Sequence, residues 1–336
     1  MKRDKNKTEQ IKTDLIAEPE EQTPTDFVNS GLTVLNLAIS DMHNGGYQLG
    51  KIHNLIGDSS AGKTMLALSM LAEAAQAPHL DNYRLVYRDV EHALEFNLDE
   101  LFGKNLIDRI GSDADIQSVN TYEDFEKEFE AMAKEGPVIY VLDSLDAAKT
   151  EAEIKRRKKS KTDDSVGIGF SDKARKLSSY FSDATEWIHD SNSLLLIISQ
   201  VRDSMNMYID KARSGGHALK FYSATEIWLH HRRKMFKTIS GKKHIIGNRV
   251  RLEIGKNKVT GYSCGSIPMI MRLGLGVDDF ASAAIWHDNK EFTDTELDAR
   301  AVELEANIKK TNKQLTKAWK KIKTGTQPTH RKKRYK

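Results

Sequence analysis

The fold of this chain is decided by one eight-residue stretch, Gly57-Asp58-Ser59-Ser60-Ala61-Gly62-Lys63-Thr64. It fits the pattern G-x-x-x-x-G-K-[ST], between an apolar run typical of a strand (51–56) and a run typical of a helix (65–72). The glycines allow a tight turn that aims backbone N–H groups at phosphate oxygens, and the helix adds the positive end of its dipole. The stretch therefore predicts a nucleotide-binding loop, in which Lys63 reaches the β- and γ-phosphates and Thr64 ligates Mg²⁺.

Composition limits the class of protein. The 336 residues suffice for one large domain or two ordinary ones, and 39% hydrophobic with 30% charged residues are typical of a soluble globular chain. No apolar run approaches the roughly 20 residues that span a bilayer, and the N-terminus lacks the apolar segment of a signal peptide. The single cysteine, Cys264, cannot form an internal disulfide. These features predict a cytoplasmic protein with no membrane partner.

The net charge of +4 is unevenly distributed. Residues 309–336 hold twelve Lys or Arg and no acidic residue, which leaves 40 basic and 48 acidic side chains, a net charge of −8, in the rest of the chain. A second basic run, 155–161, has six basic residues in seven and predicts an exposed loop or a frayed helix end. The basic C-terminal end predicts either an appendage that meets polyanions or a solvated, disordered tail.

Apolar strand-like runs alternate with helical runs over most of the chain. The run 137–143 is almost wholly apolar, which suits a central parallel strand, and it ends in Asp143. Ligands of open α/β sheets bind at this end of the strands, so Asp143 is the expected Mg²⁺ carboxylate, acting through a water molecule. Antiparallel-looking runs follow at 225–230, 248–254 and 266–273. The pattern predicts an α/β fold with a mainly parallel central sheet, mixed at one edge.

The two ends of the chain differ from this core. Residues 1–27 are polar and charged and predict a flexible N-terminal arm, with a short segment suited to oligomerisation. Near the C-terminus, Thr293 and Glu296 form a capping-box pattern, and a heptad-like apolar stripe follows. This stripe predicts one long amphipathic helix, through Leu297, Ala301, Leu304, Ile308, Leu315, Ala318 and Ile322.

Three separated segments resemble the bacterial RecA recombinases. They are D-V-E-H-A-L at 89–94, G-G-H-A-L-K-F-Y at 215–222, where His217 replaces an asparagine of the family, and K-N-K at 256–258. The resemblance implies a RecA-like P-loop NTPase core at 28–280, with helices on both faces of the sheet. A C-terminal helical segment at 281–323 and a disordered basic tail at 324–336 complete the expected organisation.

The resemblance also implies the machinery of an ATPase. Glu91 matches the catalytic glutamate that positions the attacking water, and Gln200 matches the glutamine that senses the γ-phosphate. Lys256 and Lys258 match lysines that reach the ATP of a neighbouring subunit. Residues 57–64 and Asp143 would hold ATP and Mg²⁺.

Two further contacts are implied at the edges of this site. Lys220 and Phe221 match residues of the subunit interface. Leu98 falls where the family has an aromatic side chain over the adenine, which leaves Phe96 or Tyr87 as replacements.

Two DNA-binding loops are implied, at about 155–175 and 201–216. Arg175 and Arg202 fall at positions that contact the DNA backbone. Phe170 and either Met205 or Met207 are candidates to wedge between base steps, and packing beneath a loop is the alternative for all three. The full expected DNA-binding set is Phe170, Arg175, Arg202, Met205, Met207, Arg213, Gly215 and Gly216.

The function that the resemblance implies is an ATP-dependent DNA recombinase. It would form a filament on single-stranded DNA, pair it with homologous duplex and hydrolyse ATP in response to DNA. Expected partners are single- and double-stranded DNA, further copies of the chain in a helical filament or a ring, and accessory recombination or single-strand-binding proteins. The alternatives are a ring helicase or DNA motor with the same core and a non-catalytic DNA-binding adaptor. Because the family's tail is acidic and this one is basic, we hypothesise that residues 324–336 gather duplex DNA.

Overall fold

The computed structural model describes residues 23–94, 97–111, 116, 119–159, 166–203, 211–213 and 216–325. Several sequence predictions concern residues outside these ranges. They are the predictions for Phe96, Met205, Met207 and Gly215, for most of the N-terminal arm, and for the tail from residue 326. The side chains of Phe170, Arg202 and Arg213 are likewise outside the described set, so these three residues are placed by their backbone alone.

A large sheet runs through the centre of the described chain. Its strands are β3 (Lys51–Gly57), β4 (Arg84–Asp89), β5 (Val138–Asp143), β6 (Leu194–Asp203), β7 (Lys211–Arg213), β8 (Thr225–Ile239), β9 (Lys242–Asn257), β10 (Ile267–Arg272) and β11 (Gly276–Asp278). They lie in the order β11-β10-β9-β8-β3-β6-β5-β4, and β7 pairs with β6. The central strands, β4, β5, β6, β3 and β8, are mutually parallel, whereas β7, β9, β10 and β11 join by antiparallel pairing. The prediction of a mainly parallel α/β sheet with a mixed edge is confirmed.

Helices cover both faces of this sheet, and the alternation along each strand divides the core in two. On β6, Leu194, Leu196 and Ile198 enter one hydrophobic cluster, and Leu195 and Ile197 enter the other. A small antiparallel pair, β1 (Phe27–Val28) and β2 (Tyr47–Gln48), precedes the sheet. The helices are α1 (Thr33–Ser40), α2 (Lys63–Gln76), α3 (Leu98–Phe102), α4 (Lys104–Ile110), α5 (Tyr122–Glu135), α6 (Glu151–Lys159), α7 (Val166–Asp190), α8 (Gly216–Tyr222), α9 (Asp279–Asp288), α10 (Asp294–Glu305) and α11 (Ile308–Gly325).

Each cluster has its own set of helices. The first joins α1 and α2 to the C-terminal helices, through residues such as Leu35, Leu66 and Trp319. The second is aromatic and joins α5 and α7, where Phe129 packs on Tyr140 with ring centroids 4.9 Å apart. Because both faces are covered, the central strands read as continuous apolar runs rather than alternating ones.

The prediction of one long C-terminal helix was wrong, because the stripe is divided between α10 and α11. The predicted capping box at Thr293 and Glu296 does begin α10. The chain turns after α10, where the buried Thr311 hydroxyl donates to the Leu304 carbonyl at 2.9 Å and satisfies a carbonyl that the helix end leaves open. The two helices thus bring both halves of the stripe onto the same core.

Both regions that the sequence predicts as DNA-binding loops contain regular secondary structure. α7 begins at Val166, so the second half of the region predicted as the first DNA-binding loop is helical. β6 continues to Asp203 and pairs with β7, so the second predicted loop begins and ends in an antiparallel strand pair. Across the described ranges, no helix has both the length and the apolar character that crossing a bilayer requires.

Helix α11 is fixed to the core by Trp319, which is buried and donates its indole N–H to the Asp41 carboxylate at 2.8 Å. Trp319→Ala removes this bond and leaves a large cavity, so we expect the free energy of unfolding to fall by roughly 3–5 kcal/mol in urea titration. Ile322→Ala on the same helix is the control, because Ile322 is largely exposed and its truncation should cost less than about 1 kcal/mol. Equal losses for the two variants would contradict the docking of α11 through Trp319.

Candidate functional site

The predicted nucleotide-binding loop, residues 57–64 between β3 and α2, is called the phosphate loop below. It has the tight conformation that its glycines predict. Gly62 has φ +92° and immediately precedes the first residue of α2. A Cβ at Gly62 would lie 2.4 Å from the Met271 sulfur, and one at Gly57 would lie 2.7 Å from the Leu229 carbonyl oxygen. Both positions therefore exclude larger residues, and the loop N–H groups and the N-terminus of α2 converge on one hollow.

Lys63 is buried beneath this loop. Its ammonium group donates to the carbonyl oxygens of Gly57 at 2.9 Å and Asp58 at 2.8 Å. Burial lowers the pKa of Lys63, and the carboxylates of Asp143 and Glu91 oppose that shift. A desolvated cation held by backbone carbonyls gains strongly from an anion placed in the hollow, so the geometry suits a phosphate.

Asp143 lies at the carboxyl end of β5 and accepts two hydrogen bonds on one oxygen. Thr64 Oγ1 donates to Asp143 Oδ2 at 2.6 Å, and the Tyr87 hydroxyl donates to the same oxygen at 2.9 Å. Burial raises the pKa of Asp143, and the hydrogen bonds from Thr64 and Tyr87 oppose the shift. The structure thus brings together Thr64 and Asp143, the two residues that the sequence predicts at the magnesium position.

These oxygens fit a magnesium ion that keeps most of its ligands from phosphate and water. Mg²⁺ is usually held in this way by one or two protein oxygens. No cluster of three or more His, Cys, Asp or Glu side chains within the described ranges is arranged as a metal cage. The pair Thr64–Asp143 therefore suits a metal that arrives with a nucleotide, rather than one bound by the protein alone.

Tyr87 has a different role from the one that the sequence suggested. It is 1% exposed and lies beneath the Asp143 carboxylate, so it does not offer its ring to an adenine. Burial raises the pKa of Tyr87 well above its ordinary value, which keeps the hydroxyl protonated as a donor. Its contact with Asp143 depends on the neighbouring registers of β4 and β5, which no local sequence signal reports.

Glu91 and Gln200 meet at the same edge of the sheet. Glu91 Oε1 accepts a hydrogen bond from Gln200 Nε2 at 2.7 Å and another from the Ser144 hydroxyl. The Gln200 N–H in turn donates to Asp146 Oδ2 at 2.7 Å. Sequence reasoning missed Ser144 and Asp146, although their position directly after Asp143, at the end of a central strand, was an available signal.

The segment that carries Glu91 is fixed by the buried Asp89. One oxygen of its carboxylate accepts the N–H of Glu91 at 3.1 Å, and the other accepts the N–H of Leu94 at 2.7 Å. This turn directs Glu91 toward the phosphate loop. The Asp-x-Glu-His-Ala-Leu pattern therefore has a structural reason for its first residue as well as a candidate catalytic residue at its third.

A cleft of about 900 Å³ lies beside these side chains. Its walls are the phosphate loop, the segment around Leu94 and Leu101, and the sheet edge at Ile245, Asn248 and Met271. Leu98 is buried in the hydrophobic core beside it. The cleft has room for a nucleoside extending from the phosphate loop.

Lys256 and Lys258 lie far from the phosphate loop of their own chain. Lys256 Nζ donates to the carbonyl oxygens of Lys220 and Phe221, the latter at 3.0 Å, and Lys258 Nζ donates to Phe221 O at 3.1 Å. The two ammonium groups thus cap the C-terminal end of α8, where the helix dipole is negative. They lie beside the amino end of β3, whereas the phosphate loop follows its carboxyl end.

A family model described as the RecA N-terminal domain matches residues 11–274. The chain belongs to the RecA family. It is 32% identical over 243 residues to Protein RecA of Nautilia profundicola, a match that covers 70% of this chain and 62% of the relative. Protein RecA of Nitratiruptor sp. is 31% identical over 243 residues, with 70% and 63% covered, and that of Corynebacterium efficiens is 29% identical over 247 residues, with 72% and 57% covered.

The chain spans about six tenths of the length of these curated RecA relatives. The matched region contains the phosphate loop, Glu91, Asp143 and Gln200, together with the long strands that form the cleft wall. The resemblance to the RecA recombinases is confirmed, and identities of 29–32% show that the chain is a divergent member.

Some of the residues that the resemblance predicts at DNA follow the nucleotide cleft directly along the chain. Gln200 directly precedes the β6–β7 pair, in which Val201 lies opposite Arg213 and Arg202 opposite Ala212. Gly216 begins α8, which ends at the lysine-capped carbonyls described above. Phe170 and Arg175 lie on α7 instead, where the Arg175 side chain is exposed. The β6–β7 pair therefore links the cleft to the second expected loop without an intervening segment.

Tyr87→Phe tests the hydrogen bond beneath Asp143. We expect the free energy of unfolding to fall by roughly 1–3 kcal/mol, because a buried carboxylate loses one of its two donors. Tyr262→Phe is the matched control: among the described residues its hydroxyl has no hydrogen-bond partner, so its loss should be within about 0.5 kcal/mol. Urea unfolding of both variants makes the measurement, and equal stability of Tyr87→Phe and the native chain would contradict the assignment.

Proposed function

We propose that this chain is an ATP-dependent DNA recombinase, which forms a nucleoprotein filament on single-stranded DNA and promotes homologous pairing and strand exchange. The observation that carries the proposal is the hydrogen bond from Gln200 to Glu91. It joins the residue that would sense a γ-phosphate to the residue that would activate water, at the start of the β6–β7 pair. Nucleotide state and the conformation of a DNA-binding loop would thus be coupled through one side chain.

ATP and Mg²⁺ are the proposed cofactors, held by residues 57–64 and Asp143. The loop N–H groups and Lys63 would bind the β- and γ-phosphates, and Thr64 with Asp143 would orient the metal, Asp143 through water. Bound Mg²⁺ would neutralise charge on the phosphates during transfer. The buried Lys63 ammonium, the two glycine contacts and the Thr64–Asp143 hydrogen bond support this assignment.

Glu91 would act as the general base toward the attacking water. In the structure its carboxylate is occupied by the Gln200 amide and the Ser144 hydroxyl. With ATP bound, the Gln200 amide would be shared between the Glu91 carboxylate and the γ-phosphate, whose oxygens carry more negative charge in total than a single carboxylate. Transfer of that amide to phosphate frees one position on Glu91 for water and moves the strand that follows Gln200. Activation and loop ordering then occur together.

Lys256 and Lys258 are proposed to complete the site of a neighbouring copy. Their place at the opposite end of β3 from the phosphate loop supports action across an interface, rather than on ATP of the same chain. The Phe221 side chain beside them is 70% exposed, as an interface residue would be in a single chain. Lys220, the preceding residue of α8, is also exposed. The proposed partners are therefore further copies of the chain and both single- and double-stranded DNA.

DNA would be held mainly through its backbone by the first part of α7 and by the second expected loop. Recognition of sequence would come from base pairing, so these segments need only neutralise phosphates and support the extended strand. The proposed contacts are Phe170, Arg175, Arg202, Met205, Met207, Arg213, Gly215 and Gly216.

The first test is ATP hydrolysis by the full chain with and without single-stranded DNA. We expect DNA to stimulate hydrolysis, and Glu91→Gln to remove at least about 99% of the stimulated rate while ATP binding persists, because only the general base is lost. Glu100→Gln is the matched control, since Glu100 lines the same cleft without contacting the phosphate loop's hydrogen-bond network, and it should retain the native rate.

The outcomes separate the proposal from its rivals. Hydrolysis that is indifferent to DNA would overturn the coupled mechanism and favour an adaptor with a structural nucleotide. Stimulated hydrolysis with unwinding of a forked duplex, but no pairing of homologous strands, would overturn the recombinase in favour of a helicase or motor.

A further inference from the structure

Strands β8 and β9 extend well beyond the rest of the sheet. β3 pairs with β8 only as far as Leu229, and β10 pairs with β9 only from Gly247 onward. Beyond that point β8 and β9 pair with each other alone, from Phe236 opposite Ile245 to Ile239 opposite Lys242. Residues 236–245 are therefore a projecting two-stranded ribbon, closed by a two-residue turn in which Ser240 and Gly241 both have positive φ.

The ribbon is positively charged along its whole length. Lys237, Lys242, Lys243 and His244 are exposed, and residues 236–245 contain no acidic side chain. None of the three lysines has an acidic partner among the described residues. At the base of the strands the pattern is different: Arg233 pairs with Glu291 at 2.8 Å, and Arg249 with Asp294 at 3.1 Å. Uncompensated charge thus begins where the ribbon leaves the sheet.

Apolar side chains are exposed among these cations. Phe236 is 39% exposed, Ile239 49% and Ile245 45%. Cross-strand pairs share a face, so Phe236, Ile245 and Lys243 lie on one face, and Ile239, Lys242 and Lys237 on the other. The Lys243 ammonium lies 4.4 Å from the centre of the Phe236 ring. Both faces therefore present a cation beside an apolar group.

We propose that this ribbon binds duplex DNA, separately from the two segments proposed to hold the single strand. The major groove of B-DNA admits a two-stranded β-ribbon, and the walls of the groove are rows of phosphates. Lysines on both faces match phosphates on both walls, and the exposed apolar side chains match the base edges and sugars between them. A protein partner of acidic character would not require cations on both faces.

The base of the ribbon adjoins the nucleotide cleft. Ile245 itself, with Gly247 and Asn248, lines the cleft beside the phosphate loop. Duplex held by the ribbon would therefore lie on the side of the chain where ATP is proposed to bind. This placement rests on the proposed function, whereas the binding of duplex by the ribbon does not.

The test compares two triple variants of the full chain by fluorescence anisotropy with a labelled duplex oligonucleotide. The ribbon variant is Lys237→Gln, Lys242→Gln and Lys243→Gln. The control is Lys104→Gln, Lys127→Gln and Lys134→Gln, which removes the same charge from exposed positions outside both the ribbon and the basic C-terminal end. We expect the ribbon variant to bind duplex at least about tenfold more weakly near 0.1 M salt, and its slope of log K against log salt to fall by about 2–3, as loss of three phosphate contacts requires. The control should change affinity less than about threefold.

Three results would overturn the proposal. They are an equal loss of duplex affinity in both variants, an unchanged duplex affinity in the ribbon variant, and a ribbon variant that loses self-association in sedimentation while its duplex affinity is unchanged. Unchanged circular dichroism and DNA-independent ATP hydrolysis would establish that the variants are folded. ATP hydrolysis by the native chain is measured separately, with and without single-stranded DNA. If single-stranded DNA does not stimulate hydrolysis while the ribbon variant still loses duplex affinity, the recombinase proposal fails and the ribbon assignment stands.

Discussion

Gly57 lies opposite Gln200 on β6 and opposite Leu229 on β8, and this parallel register determines the geometry of the candidate site. On the neighbouring pair, Asp89 lies opposite Asp143. Because parallel strands end at a common edge, the phosphate loop, the Glu91 segment, Asp143 and Gln200 meet without any one element being long or unusual. A shift of one residue in any of these strands would move its apolar side chains from one hydrophobic cluster to the other, where they do not fit the neighbouring helices, so packing maintains the register.

The register also explains why the exposed Glu91 carboxylate is held by neighbouring side chains. A carboxylate near Asp143 and Asp89 faces like charge. Hydrogen bonds from Gln200 and Ser144 stabilise it there. Under the proposed function, these bonds would hold Glu91 in place without nucleotide, and the Gln200 amide would donate to the phosphate when nucleotide binds, which a fixed ion pair with a lysine would not allow.

The sequence predicted the parts of the site whose signals are local. The phosphate loop is defined by glycines within eight residues, and Asp143 by the apolar strand that precedes it. Ser144 and Asp146 were missed, and Tyr87 was given the wrong role, because their contacts depend on which strands are neighbours, a property of the whole fold. The single long C-terminal helix failed for a related reason: an apolar stripe does not show that the helix is interrupted at residues 306–307, between α10 and α11. The length of β8 and β9 was also underestimated, because lysines interrupt the alternation that marks a strand.

Under the proposed function, a single chain is incomplete. Its phosphate loop follows the carboxyl end of β3, while Lys256 and Lys258 lie beside the amino end of the same strand, and both surfaces would be needed at each ATP. A contact that joins one end of a chain to the opposite end of the next is heterologous, and repetition of such a contact gives a ring or an open helix, according to the rotation between copies. Lys256 and Lys258 meet α8, which begins where the second expected DNA-binding loop ends. ATP bound at the interface would thereby contact, through α8, the loop of the neighbouring chain as well as the Gln200 loop of its own. Nucleotide, DNA and the next copy would then bind cooperatively, because each would order a segment that the others require.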